Sequence, residues 1–98
     1  KISIEKIVEK MCHNPAKIFK IENRGFIKKG FYADLAIVNA NLPFTVSKEN
    51  ILAKCGWSPF EGLTFKSSIT HTILNGDLVY NDNKVNENPK GKRLLFNR

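Results

Sequence analysis

Ser68-Ile69-Thr70-His71-Thr72-Ile73-Leu74-Asn75-Gly76-Asp77-Leu78-Val79-Tyr80 is the stretch that decides the fold. Its first seven residues are rich in β-branched side chains, which fit a pleated surface better than a helix. Asn75-Gly76 follows, and this pair tolerates the positive φ that both central residues of a two-residue turn demand. Leu78-Val79-Tyr80 then reads as the return strand of a hairpin. Working outward, Ala33-Asp34-Leu35-Ala36-Ile37-Val38 is a continuous apolar run with one carboxylate, the pattern of a buried strand. Phe44-Thr45-Val46 reads as a short extended piece, and Ser47 as the cap of a helical turn over residues 48–54. Between Gly56 and Gly62, Cys55-Gly56-Trp57-Ser58-Pro59-Phe60-Glu61-Gly62 is too irregular for a strand and reads as an aromatic loop. Beyond Val85 the chain turns polar and is expected to wander over the surface.

The opening segment carries a different period. Ile4, Ile7, Val8, Met11 and Cys12 fall at helical spacing on one stripe, with Ser3 as cap and Glu5, Lys6, Glu9 and Lys10 facing water. Pro15 cannot donate an amide hydrogen and disfavours helix in the residue before it. The spacing therefore predicts a corner at His13-Asn14-Pro15, with Asn14 capping a second short helix that ends before Asn23-Arg24-Gly25. The fold class is α+β: helices first, then short, mainly antiparallel strands.

Composition narrows the chemistry. The 98 residues are 42% hydrophobic and 26% charged, ordinary for a folded domain. No apolar run approaches the roughly 20 residues of a membrane-spanning helix, and no membrane partner is expected. The first residue is not Met, so chain before Lys1 is expected. Two cysteines are too few for a disulfide framework and fit a reducing compartment, with the cytoplasm as the expected location. The net charge of +7 is spread along the chain, which describes a solvated surface better than a nucleic-acid footprint. A basic β-rich nucleic-acid module is a third reading of the aromatics interleaved with lysine, but those aromatics are needed for the core.

Catalytic patterns are missing. His13 and His71 are far apart, with no His-x-His pair, and Cys12 and Cys55 form no Cys-x-x-Cys pair, so no metal site is expected within the chain. His13 reads as a helix-end residue on the last carbonyls, and His71 as a cross-strand side chain beside threonines. Ser47 and Ser58 have no base nearby. Asp34 reads as accepting backbone N–H groups of its own turn, with a buried carboxyl of raised pKa as the alternative. Glu61 reads as a tie between its loop and a neighbour. No catalytic, substrate-binding or metal-ligating residue is assigned.

Several strings taken together resemble the cyclic amidohydrolases. Asn14-Pro15-Ala16 followed by Gly25-x-Ile27-x-x-Gly30-x-x-Ala33-Asp34-Leu35 resembles the passage from the last barrel helix into a small β-domain. Ser58-Pro59-Phe60-Glu61-Gly62, then Ile73-x-Asn75-Gly76, and Lys92-Arg93-Leu94-Leu95-Phe96 are similar to the C-terminal portion of the dihydroorotase family, with hydantoinases and allantoinases as alternatives. The resemblance implies a fragment: residues 1–22 as the last helices of a (β/α)₈ barrel, 23–85 as the C-terminal part of a small β-domain, and 86–98 as an irregular surface tail. It implies zinc-dependent interconversion of N-carbamoyl-aspartate and dihydroorotate for the whole enzyme, with zinc ligands on barrel strands outside this sequence and no cofactor in this chain. The expected partner is the remainder of its own enzyme. Trp57, Pro59 and Phe60 are expected to form a docking loop against the barrel, or else to fill this domain's own core. Taken alone, the chain is expected to expose its helix stripe or to self-associate.

Overall fold

A computed structural model describes all 98 residues. The chain opens with helical backbone in three pieces: α1 (Ile4–Val8), a π-helical turn (Glu9–His13) and α2 (Asn14–Ile18). Ser3 caps the start, its hydroxyl accepting from the Lys6 N–H at 3.2 Å.

The corner expected at Pro15 is absent. His13 (φ −67°, ψ −53°) and Asn14 (φ −64°, ψ −45°) are both helical, so Asn14 is no cap and one helix runs through. Proline in a regular α-helix lacks its N–H, and its ring collides with the carbonyl four residues earlier, here that of Met11. The widened turn relieves this: the Asn14 N–H reaches back five residues to the Glu9 carbonyl. The helix then ends where Lys20 takes a left-handed φ of 54°. Ile21 N–H returns to Ala16 O at 2.9 Å and Lys20 N–H to Lys17 O at 3.3 Å, which satisfies the last carbonyls.

The following loop folds back over the helix. Gly25, at φ 87°, lies so close that a Cβ there would stand 2.5 Å from Ala16 Cβ and 2.9 Å from the Cys12 carbonyl oxygen. Phe26 stacks flat on His13, ring centroids 4.2 Å apart. His13 thus packs on an aromatic ring instead of serving the helix-end carbonyls.

The strands form two antiparallel sheets. The larger has β4 (Ser68–Leu74) between β1 (Leu35–Asn39) and β5 (Asp77–Asn81), with β6 (Lys84–Val85) beyond β5. Leu35 pairs with Ile73 and Asn39 with Ser68, and irregularities fall between Ile37 and Val38 and between Thr72 and Ile73. Asn75 and Gly76, at φ 51° and 84°, join β4 to β5. The smaller sheet pairs β2 (Phe44–Thr45) with β3 (Thr64–Phe65), where the Thr45 and Thr64 hydroxyls meet at 2.7 Å.

The turn after Ser47 is shorter than expected. It is a single 3₁₀ turn, Lys48–Asn50, because Asn50 spends its side chain on Ser47 N–H (3.0 Å) and the Thr45 carbonyl (2.8 Å), and Ile51 is already extended. The tail is largely irregular, but Ile21 bridges Phe96, with Glu22 N–H to Leu95 O and Asn97 N–H to Lys20 O both at 2.9 Å.

Almost nothing is buried. Ala16, at 6% exposure, is the one residue enclosed by the chain itself. β1 is therefore no buried strand: it is a sheet edge without a covering layer, and Ile37 and Val38 remain exposed. A self-contained 11.1 kDa protein exposes about 5,700 Å². This chain exposes 8201 Å². Its radius of gyration of 15.4 Å likewise exceeds the roughly 12.6 Å of a compact domain of this length.

Gly25→Ala places a methyl group where Ala16 already sits and forces a side chain onto a left-handed backbone. It is expected to lower stability by about 1–3 kcal/mol, read as a lower urea midpoint; an unchanged midpoint would show that the loop does not press on the helix.

Candidate functional site

Two arrangements stand out: a polar clamp that ties the segments together, and a broad apolar surface beside it. The clamp is built on Asp34, just ahead of β1. Its Oδ1 accepts from the Asn75 N–H at 2.8 Å, and its Oδ2 from Arg24 Nε at 2.8 Å. Arg24 is held in turn by the Tyr32 ring, 4.1 Å beneath its guanidinium, and by the Lys92 carbonyl, which accepts from Nη2 at 3.4 Å. Gly76 N–H donates to the Ala33 carbonyl at 3.1 Å. One carboxylate thus joins the loop after the helix, the start of β1 and the turn between β4 and β5, while Arg24 carries the connection to the tail.

The partners of Asp34 lie 10 and 41 residues away, not in its own turn. Its pKa is not raised. Burial pushes the carboxyl up, but the Asn75 N–H together with the hydrogen bond and charge of Arg24 outweigh it and hold the pKa below its ordinary value. The part of Arg24 was missed at the sequence level, because a partner ten residues away across a loop has no periodic signature.

The apolar surface is extensive. An open cleft of about 500 Å³ runs between the two sheets, walled by Val38, Phe44, Leu52, Phe65, Ile69 and Tyr80. Ser68 Oγ is shielded from solvent with no hydrogen-bond partner. Met11 on the helix stripe is 73% exposed and Ile27 is 92% exposed. In the aromatic loop, Ser58 organises the backbone, its hydroxyl accepting from Phe60 N–H at 3.1 Å and its carbonyl from Glu61 N–H at 3.1 Å. Gly62 N–H ties the loop to Val46 O at 2.8 Å. Phe60 meets Phe65 edge to face at 6.2 Å, yet Trp57 is 61% exposed, so these side chains do not fill a core of this chain.

No three His, Cys, Asp or Glu side chains converge to hold a metal ion. His71 Nδ1 lies 2.8 Å from the Thr70 hydroxyl, and Cys12 and Cys55 are exposed free thiols. Glu61 makes no ion pair. Lysines lie over Phe26, Phe31 and Tyr32, so these rings carry cations of the chain itself. No helix is long and apolar enough to cross a membrane.

A helix thus leads into a small antiparallel sheet beside a large uncovered apolar face. Residues 1–79 match the amidohydrolase family, and the chain belongs to that family. It is 40% identical over 94 residues to the dihydroorotase of Pyrococcus furiosus, covering 96% of this chain and 22% of that protein. It is 37% identical over 94 residues to the allantoinase of Desulfitobacterium hafniense strain Y51, covering 96% of this chain and 21% of that protein. Among solved structures, the L-hydantoinase (dihydropyrimidinase) of Arthrobacter aurescens superimposes with a TM-score of 0.78 at 29% identity, over 86% of this chain and 19% of that one. The chain spans about a fifth of the length of the relatives it matches.

Two outcomes are expected. Asp34→Asn removes the charge that Arg24 and Asn75 satisfy and should cost about 1–3 kcal/mol at neutral pH. Because the folded pKa lies below the unfolded one, this stabilisation is complete above the ordinary value of 3.8 and disappears as pH falls through the folded value. The gap between wild type and variant in urea unfolding should therefore close on acidification; a gap constant with pH would reject a role for the charge. Size-exclusion chromatography with light scattering should show the chain, on its own, associating beyond its 11.1 kDa or eluting as an expanded species; a compact monomer would count against the uncovered surface.

Proposed function

We propose that this chain is the C-terminal structural portion of a dihydroorotase-like amidohydrolase, supplying scaffold and no reactive group. One observation carries the reading: the chain exposes roughly 2,500 Å² more than a self-contained protein of its mass, on the scale of a large protein interface. It also spans a fifth of its relatives' length, so the cover has an obvious source in the rest of the same enzyme. On this reading residues 1–22 are the last barrel helices, 23–85 the C-terminal part of the small β-domain with its Asn75-Gly76 hairpin, and 86–98 a surface tail.

The whole enzyme would interconvert N-carbamoyl-aspartate and dihydroorotate in the cytoplasm. The residues of this chain do not fit a zinc site: His13 is stacked on Phe26, His71 is paired with Thr70, and no third donor stands near either. Any zinc would be held by residues outside residues 1–98. What this chain does is hold surfaces in register. Trp57, Pro59 and Phe60 form the docking loop, its backbone fixed by Ser58 and Val46 so that the exposed indole meets the barrel flank already ordered.

A second reading is an allantoinase- or hydantoinase-like parent. The 37% identity to an allantoinase is close to the 40% to a dihydroorotase, and a hydantoinase shares the fold.

The test uses the complete enzyme that carries these residues, assayed on dihydroorotate, allantoin and a hydantoin. Turnover of dihydroorotate above the others is expected; preference for either of the others selects the second reading. Trp57→Ala should lower its stability by about 3–5 kcal/mol while kcat/KM stays near wild type. Activity lost at an unchanged Tm would reject the scaffold role.

A further inference from the structure

Asn75 is the only asparagine in the sequence followed by glycine. An asparagine in that position can attack itself through the chain. The Gly76 nitrogen, having lost its proton to hydroxide, bonds to Asn75 Cγ. The Cγ–Nδ2 bond breaks, and Nδ2 leaves as ammonia after taking a proton from water. Water then opens the five-membered imide at either carbonyl, giving aspartate or its β-linked isomer at position 75. Nothing is oxidised or reduced. Glycine is the residue that least obstructs this attack, because no side chain flanks its nitrogen.

The fold restrains every group the reaction needs. The nucleophile's proton is engaged, since Gly76 N–H donates to Ala33 O at 3.1 Å. The leaving group is held, with Asn75 Nδ2 donating to Lys90 O at 3.3 Å. Oδ1, where negative charge would develop, is shielded from solvent with no donor to receive that charge. The Asn75 N–H is fixed at 2.8 Å on the Asp34 carboxylate, so an anionic nitrogen at the next residue would form beside an existing negative charge. The backbone of Asn75 is pinned in the left-handed region at φ 51°.

We propose that Asn75-Gly76 is a self-modification site kept silent by the Asp34 clamp, so that cyclisation proceeds only when the clamp opens. Once it has proceeded, closure is blocked. The product sets a second carboxylate close to Asp34, and the β-linked isomer adds a backbone carbon to a two-residue turn that sets the pairing of β4 with β5. The modification thus converts a reversible local opening into a permanent one.

The test follows the complete enzyme that carries these residues, held at mildly alkaline pH. Peptide mapping reads ammonia loss and the β-linked isomer at position 75, and amide hydrogen exchange reads the Asn75 and Gly76 N–H groups. In native buffer the reaction should run about tenfold or more slower than in urea, the factor supplied by about 1.4 kcal/mol of local opening. Asp34→Asn should accelerate exchange and cyclisation together. If that variant does not fold, Arg24→Lys, which keeps the charge but loses the planar fork, should give a smaller parallel rise in both. Cyclisation as fast in native buffer as in urea, freely exchanging Asn75 in the wild type, or faster exchange without faster cyclisation would each overturn the proposal.

Discussion

A carboxylate partly withdrawn from water is stabilised by donors, and Asp34 finds them in segments that sequence keeps far apart. Arg24 comes from the loop that folds over the helix, and the Asn75 N–H from the turn joining β4 and β5. Charged hydrogen bonds are stronger than neutral ones, and two on one carboxylate also fix direction. The Tyr32 ring supports the guanidinium from one face, and the Lys92 carbonyl draws in the tail. In a chain where only Ala16 is enclosed, this polar joint does the positioning that an apolar core does elsewhere. The sheet starts where it does because β1 leaves directly from the clamp.

The apolar residues meanwhile face outward. In an ordinary domain of this composition they would meet one another across two layers. Here the two sheets leave a cleft, and the helix stripe has no facing element. Membership of the amidohydrolase family, together with coverage of about a fifth of each relative, supports the proposal that the second layer comes from chain outside these residues. On that proposal the excess of apolar surface reflects a division of labour, in which scaffold and chemistry sit on different stretches.

Features governed by local chemistry were legible in the sequence. Ser3 caps the first helix, the β-branched run 68–74 is a strand, and the quoted motifs pointed to the family that the comparisons bear out. Features governed by distant or absent partners were not. Pro15 looked like a corner because a π turn leaves no periodic mark; the remedy is the long Asn14-to-Glu9 bond. Thr64–Phe65 is too short to announce itself and is a strand only because Phe44–Thr45 lies opposite. Trp57, Phe60 and Phe65, assigned to a core on the sequence reading, are exposed here, since apolarity in a sequence cannot say which chain provides the cover. Asp34 was recognised as unusual, but its partners are set by tertiary closure.

The bridge between Ile21 and Phe96 has a bearing on synthesis. A ribosome makes the helix and its left-handed stop well before their antiparallel neighbour at Phe96. Until then Lys20 and Glu22 present unpaired backbone groups to whatever is nearby, and Arg24 lacks the Lys92 carbonyl. The nascent chain would therefore carry an adhesive strand edge for as long as residues 23–95 take to be made, and chaperone attention would be concentrated on that interval.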